Sequence, residues 1–448
     1  MSQGAVRVPA VIGPIEGSQK PWSTPRFDVT ERGYVIEEFH IEGETAAYET
    51  VGDDRPTPDG RWVSREYGTA PYRTRILVVR PADPGRFNGT VLVNWQNVSA
   101  GVENGSAVSD EIYDGGYAWV GVSAQEVGLY GFPLGMDRRM GSRSAQPLVD
   151  HDRERYGALS HPGDQGSFEM FSQAGRVVGP HRDRSVDPMG GLDVKRLVAT
   201  GGSQSGMRLA AYLNGVHRQH GDVFDGFVLS VWEGRAPRLE EGLMPGGMRT
   251  AVRNDLDTPI IIVNSEFEVP NVAALGMNDT DRLRLWEVAG TPHGVARSTY
   301  DRPNSQGWVV NRLSYNPVWD GAVRAVHRWL ADGIAPPTQP RIAMDDNEGK
   351  APSIRRDSLG NALGGIRLPE MEAPTHEFRG MAFASGRAPL FGAARRFADE
   401  TIKALYTDRA EYEATWNAAV DHLVDSEAIR PEAAPAMKAA VTAVELPF

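Results

Sequence analysis

Between Gly33 and Pro81 the chain alternates apolar with polar residues in GYVIEEFHIEG, AAYETVG and YRTRILVVRP, each bounded by Gly or Pro. A period of two with such boundaries predicts half-buried antiparallel strands. The pattern then changes. TVLVNW (90–95) is almost continuously apolar, as expected of a central strand covered on both sides. YAWVGVSA (117–124), KRLVATG (195–201), FDGFVLSVW (224–232), TPIIIVNS (258–265) and RLRLWEVAG (282–290) read the same way. Between them SAVSDEIYDGG, SFEMFSQAGRVVG, SGMRLAAYLNGVHRQ and GAVRAVHRWLADG (321–333) carry helical spacing, the last closed by Gly333. Strands alternating with helices predict an α/β fold. Its central sheet is mostly parallel, with helices on both faces and antiparallel strands at its N-terminal start.

Ahead of that pattern, residues 1–32 read as an extended, Pro- and Gly-rich arm. Residues 33–340 are then expected to form one α/β domain. Two stretches interrupt its rhythm, 125–164 and 233–257, both rich in Gly and Pro and without a sustained period. Long irregular segments in a folded domain are usually functional, and these leave strands at their C-terminal ends, so both are expected to form a lid that shapes a pocket. The first carries Arg138, Arg139, Arg143, Arg153 and Arg155, which suit either an anionic substrate or a solvated basic face. After the turn APPTQPR (335–341), residues 341–448 form a C-terminal extension with about two helices from Phe391 onward. Their apolar stripes predict packing on the core.

Composition narrows the function classes. With 40% hydrophobic and 24% charged residues, the 448-residue chain is an ordinary globular one. A net charge of −12 disfavours nucleic acid and anionic membrane surfaces as partners. The absence of cysteine excludes disulfides, thiolate metal sites and a cysteine nucleophile. No apolar run approaches the ~20 residues of a membrane span. MSQGAVRVPAVIGPIEG has no apolar core behind a basic start. The expectation is a cytoplasmic protein acting on a small molecule, with homo-oligomerisation left open.

The sharpest chemical signal is VATGGSQSGMRLAAYL. A strand runs into Gly201-Gly202-Ser203-Gln204-Ser205-Gly206 and a helix follows at once, the context of a nucleophile elbow. The turn needs small residues two before and two after the serine, and Gly201 and Ser205 supply them around Ser203. Ser205 is the rival nucleophile, but Met207 at its +2 position is too large for the turn. A Gly/Ser turn that merely caps the helix is the bland alternative. Phosphate-binding loops require G-K-[ST] or G-x-G-x-x-G, and neither is present.

A serine hydroxyl needs a base. RLRLWEVAGTPHG places His293 on the loop after a late strand, where the chain order Ser, acid, His puts it. His217, His220 and His327 lie on predicted helix surfaces and are expected to be solvated. For the acid, PIIIVNSEFEVP offers Glu268 and Glu266 at a strand end, where a carboxylate can hold the imidazole tautomer. Both stay open. The oxyanion would be held by the backbone N–H of Gln204 and by that of Asn97 or Val98, after TVLVNW. No metal-ligand spacing stands out, so no metal and no cofactor are expected. Trp232, Trp286, Trp308 and Trp319 suit a pocket or ordinary core.

The pieces VNWQNVSAG, ATGGSQSG, NSEFEV, RLRLWEVAGTPHG and GNALGGIRLPEMEAP resemble a bacterial group described only as α/β-hydrolase domain-containing proteins. The resemblance runs from about residue 30 to the end, tail included. It implies the α/β-hydrolase fold and a Ser–His–acid mechanism, with Ser203 and His293 on the group's elbow and histidine motifs. There the acid motif often reads S-E-x-D. Glu268 departs from it, which keeps Glu266 in contention. The resemblance implies no particular substrate. The resulting expectation is a serine hydrolase that cleaves a small carboxylic ester through an acyl-enzyme. Lactone opening or acyl transfer would use the same parts, and an inactive binding protein on the same fold is the alternative from another class.

Overall fold

The arm ahead of Gly33 is not wholly irregular. Ala10–Ile12 (β1) pairs antiparallel with the strand Tyr34–Thr50 (β2), which in turn pairs along its whole length with Ser64–Pro81 (β3). The sequence pattern predicts two strands across 33–52, broken near Gly43. The structure has one. Gly43 and Glu44 face Tyr72 and Pro71 in unbroken register, and the irregularity falls later, as a bulge between Ala47 and Tyr48. The computed structural model describes residues 6–52, 56–133, 146–221, 223–242, 247–296, 302–345, 352–382 and 389–448. They fall into two units, divided after Ile260.

In the first unit, Thr90–Trp95 (β4) is followed by Asp110–Asp114 (α1), a single turn where a longer helix was predicted, and by Ala118–Val122 (β5). Glu126–Tyr130 (α2), Leu148–His151 (α3) and Arg153–Tyr156 (α4) lie in the stretch predicted as an insertion. Ser167–Val178 (α5), Arg196–Gly202 (β6), Gln204–Gly215 (α6) and Gly226–Ser230 (β7) continue the alternation. Arg235–Ala236 (β8) and Met248–Arg249 (β9) make a small antiparallel pair within 233–257. The sheet order in this unit is β1-β2-β3-β5-β4-β6-β7. β3 meets β5 antiparallel, whereas β5, β4, β6 and β7 run parallel. Helices cover both faces of such strands, which is why β4 and β5 are apolar at nearly every position. α5 and α6 are themselves buried almost all round, packed through Phe168, Phe171, Tyr212, Phe224 and Phe227.

The second unit begins within Ile260–Ser265 (β10), continues through Val269–Ala273 (α7) to its neighbour Leu283–Val288 (β11), then Val309–Val310 (β12) and the long helix Asn316–Asp332 (α8). α8 starts ahead of the predicted Gly321, because Pro317 in its first turn lacks only an N–H that a helix start leaves unpaired anyway. The extension adds Met344–Asp345 (β13), Ser353–Ile354 (β14), Pro369–Glu372 (α9), His376–Arg379 (β15), Ala393–Arg396 (β16), Asp399–Leu405 (α10), Arg409–Asp425 (α11) and Ala434–Ala439 (α12). β12, β16 and β15 form a small antiparallel sheet that the sequence pattern does not predict. Within this unit the extension shares one core with the residues before it, through Val269, Ala289, Leu313, Ile342, Met371 and Phe378.

Candidate active site

In the first unit β6 delivers the chain into a tight turn. Ser203 has φ 55° and ψ −121°, a left-handed conformation that a side-chain-bearing residue adopts at a cost of about 1–3 kcal/mol. The turn is held from both sides: Ser203 N–H donates to Ser230 O at 3.0 Å, and Met207 N–H donates to Ser203 O at 2.9 Å. A Cβ on Gly201 would sit 2.9 Å from the Leu209 side chain and 3.1 Å from Ser205 O, so the close approach there favours glycine. Ser205 has a different task. Its Oγ accepts from Gly202 N–H at 3.0 Å and donates to Gly202 O at 2.9 Å, so this buried hydroxyl closes the turn on itself. Gln204 opens α6, where the first backbone N–H groups lack helical acceptors and attract negative charge.

The loop after β4 lies against this turn. Asn97 Nδ2 donates to Gly202 O at 3.0 Å, and Asn97 Oδ1 accepts from Ser99 N–H and Ser99 Oγ at 2.9 and 2.7 Å. Val98 N–H donates to the side-chain Oε1 of Gln204 at 3.2 Å, so that N–H has a partner within the protein.

In the second unit the residues after β10 and β11 meet. His293 Nδ1 lies 2.6 Å from Glu268 Oε1, and the other oxygen of Glu268 accepts from Ser265 N–H at 2.9 Å and Ser265 Oγ at 2.7 Å. Glu268 is fully buried and the His293 side chain 14% exposed. A carboxylate can only accept, so Nδ1 carries a proton, the arrangement whose neutral form has its lone pair on Nε2. The Phe267 ring packs edge-on against the imidazole, centroids 5.3 Å apart. Glu266 points elsewhere: it accepts from Gly290 N–H at 2.8 Å, Gly380 N–H at 3.0 Å and Arg356 Nη2 at 2.6 Å. It ties the histidine loop to the C-terminal extension. Gly380 is required there, since a Cβ would come within 2.6 Å of both Glu266 Cβ and Thr291 O.

Several expectations are corrected. His217 and His220 are not solvated; they are 2% and 3% exposed. Both sides of α6 are covered, so polar neighbours in sequence did not mean a surface. His217 Nε2 bonds Thr258 Oγ1 at 2.8 Å, and burial pushes its pKa down to about 4, with His220 and Arg253 adding to the effect. His220 bridges Tyr48 and Ser172 at 2.8 and 2.9 Å. His327 is half-buried. Arg155 is part of neither a substrate site nor a solvated face: it pairs with buried Glu38 at 2.6 Å. Arg153 is exposed, and Arg138, Arg139 and Arg143 lie outside the described residues. Trp232 and Trp286 are fully buried core residues; Trp308 and Trp319 are half-buried. Ser265 reads in the sequence only as a small turn residue three before Glu268, and its bonds to that carboxylate are visible only in the structure.

Among the described residues no three His, Asp or Glu side chains converge as metal ligands, and no helix is long and apolar enough to cross a membrane.

No curated protein matches the chain. Among solved structures, a prolyl endopeptidase is 14% identical, with a TM-score of 0.28 over 57% of this chain and 35% of its own. Esterase Est22 with p-nitrophenol is 13% identical, with a TM-score of 0.29 over 57% of this chain and 72% of its own. Oligopeptidase B from Trypanosoma brucei with covalently bound antipain is 13% identical, with a TM-score of 0.30 over 58% of this chain and 34% of its own. This chain thus spans about a third of the length of the two peptidases. The family described as "Alpha/beta hydrolase domain" matches residues 11–439, nearly the whole sequence, and the chain belongs to that family.

Proposed function

We propose that this protein is a serine hydrolase that cleaves a small carboxylic ester through an acyl-enzyme on Ser203. The observation that carries the reading is the left-handed Ser203 at the mouth of α6, with the neighbouring Ser205 hydroxyl already committed to Gly202. Support comes from the Glu268–His293 pair, in which the carboxylate engages Nδ1 and so assigns the role of base to Nε2. Ser203 Oγ attacks the ester carbonyl as His293 Nε2 takes its proton. The tetrahedral oxyanion is received by Gln204 N–H and by the backbone N–H of Asn97 or Val98 on the loop after β4. Collapse expels the alcohol, protonated by His293. Water, deprotonated by the same imidazole, then releases the acid and restores Ser203. Glu268 stabilises the imidazolium in both halves, and Ser265 holds Glu268 in place. Glu266 serves as a structural tie.

The test is labelling with a fluorophosphonate, followed by a panel of p-nitrophenyl esters of increasing acyl length. Phosphonylation at Ser203 with turnover of the shorter esters is expected. A modified Ser205, or no modification and no turnover, contradicts the reading.

A further inference from the structure

Within the first unit a chain of buried amides runs from the stretch at 125–164 to the loop after β4. Arg208 Nη2 and Gln125 Nε2 both donate to Asp164 Oδ2, at 2.9 and 2.8 Å, and Glu126 N–H donates to Oδ1 at 2.9 Å. Gln125 Oε1 accepts from Trp95 Nε1 at 3.1 Å and from Gln204 Nε2 at 2.7 Å. Gln204 Oε1 accepts from Val98 N–H at 3.2 Å. Asp164, Arg208, Gln125, Gln204 and Val98 are all buried, at most 5% exposed.

Each amide in this chain has a single favourable orientation. A carboxylate only accepts, so Gln125 must turn its NH2 group to Asp164 and its oxygen to Gln204. Gln204 must then turn its own NH2 to Gln125 and its oxygen to Val98. Reversing either amide would set donor against donor or acceptor against acceptor where little water can intervene. The direction of the chain is set by its fixed-polarity neighbours, Asp164 and the Trp95 indole at Gln125 and Val98 N–H at Gln204, and Asp164 is the charged one, balanced by Arg208.

Resting on the serine-hydrolase reading, we propose that Asp164 is a positioning residue for the oxyanion site, acting through Gln125 and Gln204 to fix the loop that carries Asn97 and Val98. Asp164 touches no reacting atom. Its effect falls on charge that develops only in the transition state, so kcat carries it and KM does not.

The experiment measures kcat and KM with p-nitrophenyl acetate for Asp164→Asn, Gln125→Met, Gln204→Met and the Asp164→Asn/Gln204→Met double variant. Asp164→Asn is expected to lower kcat about 10- to 100-fold, a fraction of what losing an oxyanion donor costs, with KM held within about threefold. The double variant should be no slower than Gln204→Met alone, because both act on one element. Asp164→Asn leaves Arg208 buried without its countercharge. If it fails to fold by circular dichroism, Gln125→Met, which keeps the Asp164–Arg208 pair, carries the test and should lose kcat in the same way. Three results overturn the proposal: kcat within about twofold of wild type in the folded variants, losses that multiply in the double variant, or a raised KM with unchanged kcat. Wild-type protein that is not phosphonylated at Ser203 is a separate result, and it overturns the serine-hydrolase reading beneath the proposal.

Discussion

The elbow around Ser203 and the loops around His293 are built on opposite plans. The elbow closes on itself through neighbours in sequence, Ser205 onto Gly202 three residues away and Met207 N–H back to Ser203 O, and two longer bonds, Ser203 N–H to Ser230 O and Asn97 Nδ2 to Gly202 O, anchor it. The His293 region is held by distant partners. Glu268 and His293 are 25 positions apart, and Glu266 reaches 24 positions to Gly290, 90 to Arg356 and 114 to Gly380. A site made of local contacts imposes its spacing on a short stretch of sequence. A site made of distant contacts leaves only isolated residues, and its integrity depends on the C-terminal extension.

Four substitutions test that contrast. On the elbow side, Ser203→Ala should lower kcat about 10⁴- to 10⁶-fold in steady-state assays. Ser205→Ala should retain activity and lose about 1–2 kcal/mol of stability from its two bonds to Gly202, read by urea unfolding. Comparable losses of activity in the two variants would refute the assignment of separate tasks.

On the other side, Glu268→Gln should lower kcat by up to about 10⁴-fold with little change in stability, because a neutral amide no longer stabilises the imidazolium. Glu266→Gln should do the reverse: a modest change in rate, and destabilisation by about 3 kcal/mol as the buried partner of Arg356 is removed. Parallel kinetics and denaturation of both variants check this. Equal rate losses would mean that the two carboxylates are not divided in this way.

The smallest effect concerns pH. His217 lies beyond the end of α6, and its pKa in the folded protein is about 4, against 6.5 ordinarily. The unfolded chain therefore takes up this proton first as the solution is acidified. The stability it represents is fully present above about pH 6.5 and is lost as pH falls toward 4, by up to about 3 kcal/mol. His217→Gln should flatten the fall in urea midpoint between pH 7 and 4.5 relative to wild type. An unchanged slope would show that His217 does not carry this proton linkage.

The same contrast explains what was legible in the sequence. TVLVNW, KRLVATG, TPIIIVNS and RLRLWEVAG announced their strands within a residue or two, because a strand covered on both faces must be apolar throughout. The strand-turn-helix context of Ser203 was legible for the local reason just given. Which of Glu266 and Glu268 contacts His293 was not, since that depends on Arg356 and Gly380 drawing Glu266 away. The burial of His217, His220 and Arg155 was hidden too, because their partners Thr258, Tyr48 and Glu38 lie 41, 172 and 117 positions away. The strands His376–Arg379 and Ala393–Arg396 are short and charged, and pairing with each other and, for the second, with β12 makes them strands.

The outer margin of β2 bears on solubility. A strand of 17 residues at that position would offer its unpaired backbone to any other chain and invite edge-to-edge aggregation. β1 covers only His40–Glu42. Elsewhere the margin is closed one group at a time: Ile15 N–H donates to Glu38 O, Gln173 Nε2 to Glu44 O, Ala46 N–H to the Glu169 carboxylate and Thr50 N–H to Glu240. Arg7 in turn grips Glu169 with two bonds from one guanidinium nitrogen. Side chains that cap single backbone groups present no continuous ladder for another chain to extend. The short arm before β2 thus helps keep neighbouring molecules apart in a crowded solution.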